Sequence, residues 1–371
     1  MALRCFLPIV FGLICCCTAC SPEPVDAGDA ECTVLFYLAG RDNGLSEEVS
    51  EKIDAIAAGW DEYNGNLLIL QDDETVDCPR LLQLNRKRDK KELSLICEYP
   101  GWEASSSVLM KQVFKDVRED FPSERYGLVL FSHASGWLPE QTLSAPRSLV
   151  PGEEGEISLS DFASALPEGM FRFIVFETCF MSGIEVMCEL QGKTDFVVAS
   201  SAEICSPGFT PVYPTVLKYL YQPEPDLVSY AAGYYAYWEK YNPASATISV
   251  IDMDKIPSLV ESIAEMLETC RVTLIPQPPP LTVQRFDKLS SYSLFYDLSD
   301  YMQSLLPSQE ADRIEKAIED CVVYRASTPY LYNGITVDKH CGLTTYILQV
   351  GLPYLNECYT QTVYWQWLHG L

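Results

Sequence analysis

The chain has 371 residues, 48% of them apolar, with a formal net charge of -26 and a pI near 4.4. That length suffices for one large domain or two ordinary ones, and that apolar fraction for a sizeable core. The acidity argues against a nucleic-acid partner, because phosphate binding needs basic surface, and it fits a body that attracts cationic substrates.

The first twenty residues, MALRCFLPIVFGLICCCTAC, stand apart. Arg4 precedes an apolar run from Cys5 to Cys17, and small residues lead up to Cys20. This is the layout of a signal peptide. Its CTAC end resembles a bacterial lipoprotein signal, in which Cys20 becomes the lipidated first residue; ordinary cleavage after Ala19 is the alternative. Residues 21–31 read as a polar tether. The expectation is an exported protein, anchored by lipid in a bacterial envelope or secreted. No later segment has 18 consecutive apolar residues, the length a membrane helix needs.

After the tether, TVLFYLAG (33–40) is an apolar, β-branched run ended by Gly, the pattern of a buried strand. Residues 45–60 follow as a helix, with Ser46 as N-cap and Val49, Ile53 and Ile56 at helical spacing. A strand is expected over 66–71, then a hairpin with a basic tip between Cys78 and Cys97, which are placed to face each other across its base. Residues 105–120 predict a helix, 126–133 a strand, 158–166 a short helix, 171–179 a strand, 182–190 a helix and 195–201 a strand. Strands that are apolar nearly throughout and alternate with helices indicate a mostly parallel sheet covered on both faces. Beyond residue 210 the texture changes: helices over 228–241 and 258–270, strands over 245–253 and 342–348, and the stiff connector PQPPP at 276–280. The expected organisation is a leader (1–20), a tether (21–31), an α/β core (32–210) and a C-terminal part (211–371) packed on it.

Two strand ends carry the chemistry. LVLFSHASGW stops a strand just before His133, and FIVFETCFMSG does the same for Cys179. In parallel sheets, sites lie at the carboxyl ends of strands. A His beside a Cys can take its proton or hold its thiolate as an ion pair, and a helix opening near Ser182 aims its N-terminus at the same edge. Glu177 acts against the thiolate, and in an extended strand it shares a side with Cys179. Ser132 and Ser135 suit a crowded active-site edge, and Trp137 either walls that edge or belongs to the core. The ten cysteines beyond the leader contain no C-x-x-C pair, and there are three histidines, His133, His340 and His369, so zinc has little support. Cys188, Cys270 and Cys321 read as inert core thiols.

These segments resemble the clostripain-like cysteine peptidases, relatives of the caspase-like fold. The likeness runs through TVLFYLAGRDNGL, YGLVLFSHASGW, FIVFETCFMSGIEVMCEL and DFVVASSAEICSPGF, with weaker echoes at SATISVIDM and CGLTTYI. It implies an α/β fold with a mostly parallel sheet flanked by helices and a C-terminal α+β subdomain. It also implies His133 as the catalytic histidine and Cys179 as the nucleophile. The backbone N–H groups of Ala134 and Cys179 would form the oxyanion site, with Ala134 where the family usually has Gly. The family cleaves after Arg or Lys, using acids in the pocket that receives the basic side chain. Glu177 stands where the family usually has Asp, and Glu203 is a second candidate. Members are often activated by cutting the loop between the His and Cys strands, where Arg147 is the one basic residue. No cofactor is implied by the chemistry. Calcium dependence occurs in some members, but no EF-hand loop is present here. The expected partners are peptide or protein substrates, with the chain as a monomer. The competing reading is a peptidase-like surface lipoprotein of little activity that binds peptides.

Overall fold

The computed structural model describes residues 30–41, 44–61, 63–87, 90–139, 142, 158–241, 245–288 and 292–370. The leader with Cys20, and Arg147, lie outside them. In chain order the elements are β1 (Ala30–Ala39), α1 (Ser46–Gly59), β2 (Gly65–Asp72), β3 (Arg80–Lys87), β4 (Lys90–Glu98), α2 (Ser107–Asp120) and β5 (Ser123–Phe131). Then come α3 (Leu159–Ala165), β6 (Phe171–Glu177), α4 (Ile184–Glu189), β7 (Thr194–Ala199), α5 (Tyr213–Val216), α6 (Leu227–Tyr241), β8 (Thr247–Asp252) and α7 (Ile256–Thr269). The chain finishes with β9 (Tyr296–Asp297), α8 (Leu298–Leu305), α9 (Ser308–Cys321), β10 (Val322–Ser327), β11 (Thr344–Thr345), α10 (Pro353–Tyr359) and α11 (Val363–Leu368).

Nine strands form one sheet in the order β10-β8-β7-β6-β5-β1-β2-β3-β4. Its five central strands, β7 through β2, pair in parallel, and antiparallel strands finish both edges. The period of two along each strand divides the core into two layers. On one face, Leu35 and Tyr37 of β1 and Ile174 and Phe176 of β6 pack with α2, α3, α4 and α7. On the other, Val34 and Phe36 of β1, Val129 and Phe131 of β5, and Phe173 and Val175 of β6 pack with α1, α5 and α6. Side-chain caps start several helices: Ser106 accepts from Val108 N at 3.3 Å, Ser158 from Asp161 N at 3.1 Å, and Asp297 from Asp300 N at 2.9 Å.

The C-terminal part does more than pack on the core, because β8 and β10 extend the same sheet. The strand expected over 342–348 shrinks to β11, which pairs antiparallel with β9. The Cys78–Cys97 bridge does not form: all ten described cysteines are free thiols. The hairpin register sets Cys97 opposite Leu81, three positions beyond Cys78. No described helix is long and apolar enough to cross a membrane.

Candidate active site

β5 and β6 are adjacent and parallel, and their register pairs Phe131 with Glu177. His133 and Cys179 each lie two residues beyond that pair, so the fold delivers both loops to the same edge of the sheet. The loops that carry them touch. Gly136, at φ 65°, sits so close to Phe180 that a Cβ there would fall 2.7 Å from its carbonyl oxygen. His133, Ala134 and Cys179 are all partly exposed at this edge.

The chain turns sharply at the nucleophile. Phe180 adopts φ 60°, a conformation that costs a bulky residue about 1–2 kcal/mol. Its ring stacks on Phe295 at 4.3 Å and 8°, and its N–H donates to Ala202 O at 3.1 Å, so packing holds the strained turn. Among described non-glycine residues only Phe180 and Arg271 have positive φ. Ala134 therefore carries no left-handed strain, and its methyl group does not by itself misdirect its N–H.

The two candidate acids stand in different surroundings. Glu177 continues the β6 alternation onto the face of α1 and α6, and its side chain has 0% exposure. One oxygen, Oε1, accepts from Lys52 Nζ at 2.5 Å and from Phe209 N at 2.7 Å, and Oε2 accepts from the Tyr213 hydroxyl at 2.5 Å. The expectation that this carboxylate serves a substrate's cation meets a carboxylate that is enclosed and already paired with a cation from α1. Glu203 lies elsewhere on the same edge. One step from the Phe180–Ala202 hydrogen bond, on the two segments, come Cys179 and Glu203. Glu203 is buried at 8% exposure, and the Tyr332 hydroxyl donates to its Oε2.

A hydrogen-bonded chain that sequence reasoning did not find underlies the turn. Ser182 Oγ and Ser201 Oγ lie 2.8 Å apart, and Ser201 Oγ lies 3.0 Å from His340 Nε2. Burial, then Arg325, lowers the His340 pKa to about 3, so this imidazole stays neutral. Ser182 also accepts from Thr344 N at 3.0 Å, which ties the C-terminal part to the loop of Cys179.

Other residues are structural. Trp137 is core, packed on Tyr346 and Tyr359 at 5.0 and 5.1 Å. Burial pushes Cys32 up to about 11 and Cys321 up to about 12, and holds Cys188 well above the usual thiol range, so these thiols are inert. Ser132, His133 and Thr178 help to line a cavity of about 30 Å³, room for a water or two. Among the described residues, no group of three or more His, Cys, Asp or Glu is placed to hold a metal ion.

A partly exposed cysteine and a partly exposed histidine, each two residues past the carboxyl ends of neighbouring parallel strands, are the residue types a cysteine-hydrolase site needs. The comparisons agree. The model of the clostripain family, peptidase C11, matches residues 36–362. An inactive zymogen C11 protease from Parabacteroides distasonis shares 31% identity and superposes with a TM-score of 0.81, over 92% of this chain and 99% of that one. A secreted C11 cysteine protease from Bacteroides thetaiotaomicron, solved with an irreversible peptide inhibitor, shares 25% identity at a TM-score of 0.76, over 92% and 99% of the two chains. No curated protein sequence matches. The chain belongs to the clostripain family and is a cysteine peptidase of that family.

Proposed function

We propose that the protein is a cysteine endopeptidase that cleaves after Arg or Lys, with Cys179 as nucleophile and His133 as acid–base. The observation that carries this reading is the β5–β6 register, which brings both residues to one edge two positions past Phe131 and Glu177. In the proposed reaction the Cys179 thiolate attacks the scissile carbonyl, while the N–H groups of Ala134 and Cys179 stabilise the oxyanion. His133 protonates the departing amine, and water then releases the acyl group from the sulfur. Glu203 is the acid that meets the basic side chain, a role supported by its place beside Cys179 and by the neutralisation of Glu177.

The same reading includes activation by cleavage after Arg147, in the segment between β5 and α3, and export with a lipid on Cys20. The zymogen form of the Parabacteroides relative supports the first, and the secreted Bacteroides relative supports export. The test is hydrolysis of fluorogenic peptides ending in Arg, Lys or Gln by wild type, Cys179→Ala and Glu203→Gln. Basic-selective turnover that vanishes in Cys179→Ala, and loses its selectivity in Glu203→Gln, is expected. A folded, reduced wild type without turnover would overturn the proposal in favour of a peptide-binding lipoprotein.

A further inference from the structure

We infer that Lys52 is an internal occupant of a cation site beneath Cys179, and that it keeps Glu177 out of the recognition of basic substrate side chains. The surroundings of Lys52 Nζ are those of a built ammonium site. It donates to Glu177 Oε1 at 2.5 Å and to Thr210 Oγ1 at 2.9 Å, and stands 4.3 Å from the centre of the Phe131 ring. Carboxylate, hydroxyl and aromatic face are the three groups that replace water around a buried cation. Phe131 and Glu177 are also the register pair that leads to His133 and Cys179, so this site lies directly under the reacting groups.

The site is roofed as well as filled. Gly208, at φ 59°, crosses so close that a Cβ there would meet Glu177 Oε1 at 2.4 Å and Lys52 Nζ at 3.4 Å. Just beyond that crossing, Phe209 N and the Tyr213 hydroxyl take further positions on the carboxylate. A substrate guanidinium or ammonium would have to lift this roof and displace Lys52. It would gain little by doing so, because it would only exchange one cation for another on a carboxylate that Lys52 already neutralises. Selectivity for basic side chains must then come from another carboxylate, and the candidate is Glu203, next to the Phe180–Ala202 hydrogen bond.

This inference rests on the peptidase reading for its kinetic test, so two experiments separate the two. The first compares Arg- and Gln-ending peptides as substrates of wild type and the Lys52→Met, Glu177→Gln double variant, whose neutral pair keeps the packing. The double variant is expected to hold the Arg-over-Gln ratio of kcat/KM within about threefold of wild type. A fall of about 100-fold in that ratio would overturn the inference. The second needs no turnover. Lys52→Ala leaves a space the length of n-propylammonium, and that amine is expected to raise its melting temperature while leaving wild type and Lys52→Ala, Glu177→Gln unmoved, with sodium chloride as the ionic control. If Lys52→Ala does not fold alone, its recovery on refolding with the amine is the readout. The absence of both a selective shift and a selective recovery would contradict a cation site there, whatever the outcome of the first experiment.

Discussion

A carboxylate taken wholly out of water keeps its charge only where an opposite charge and hydrogen bonds replace the lost solvent. Glu177 has Lys52, Phe209 N and Tyr213 as replacements. Removing one partner strands the other, so Lys52→Met or Glu177→Gln alone is expected to lower the unfolding free energy by about 3–5 kcal/mol. The double variant should lose much less than the sum of the two, because it strands no charge. Urea unfolding of the four proteins checks this; additive losses would remove the buried ion pair from the account. The sequence suggested the functional weight of Glu177 but not its partner, which lies 125 positions away on a helix read only for its apolar stripe. A lysine among acidic residues of α1 looks solvent-facing until α5 and the Gly208 turn close over it. Phe180 was equally hidden, since a bulky aromatic residue gives no local sign of positive φ.

At the scale of elements, the parallel strands were legible because strands buried on both faces must be apolar throughout. The separate two-stranded sheet of β9 and β11 was not, because these strands are two residues each and their pairing is set by the long segments between them. One junction between elements has a pH signature. Glu185, in the first turn of α4, accepts from the Thr345 hydroxyl at 2.8 Å and Tyr346 N at 3.0 Å, among the buried rings of Tyr359 and Tyr364. Burial raises its pKa from 4.5 to about 7, against the lowering effect of its hydrogen bonds. The folded state therefore binds this proton more tightly than the unfolded chain does. The resulting stability is fully present below about pH 4.5 and is lost as pH rises through about 7. The loss amounts to roughly 3 kcal/mol, from about 1.36 kcal/mol per pKa unit. Glu185→Gln, which does not titrate, should gain about that much relative to wild type across the same window, measured by chemical denaturation at several pH values. A constant difference between the two proteins would show that Glu185 does not titrate in this range.

For the whole molecule, the sheet and the C-terminal part form a frame around a single edge. β5 and β6 bring His133 and Cys179 there, β7 leads to Glu203, and the Ser182–Ser201–His340 chain and Thr344 brace the turn from behind. The carboxyl ends of β5 and β6 were readable because strand ends can be located from local pattern alone. The bracing residues were not, because His340 stands 139 positions from Ser201. If the protein activates itself, Arg147→Gln and Cys179→Ala should each run as one chain on a denaturing gel where wild type runs as two. A two-chain Cys179→Ala would assign the cut to another protease. The most direct measurement is to treat the folded, reduced protein with a peptidyl acyloxymethyl ketone ending in Arg and map the adduct by mass spectrometry. The account predicts one adduct per chain, on Cys179, slowed strongly by His133→Ala. Labelling of a different cysteine, or an unmodified Cys179, would contradict it.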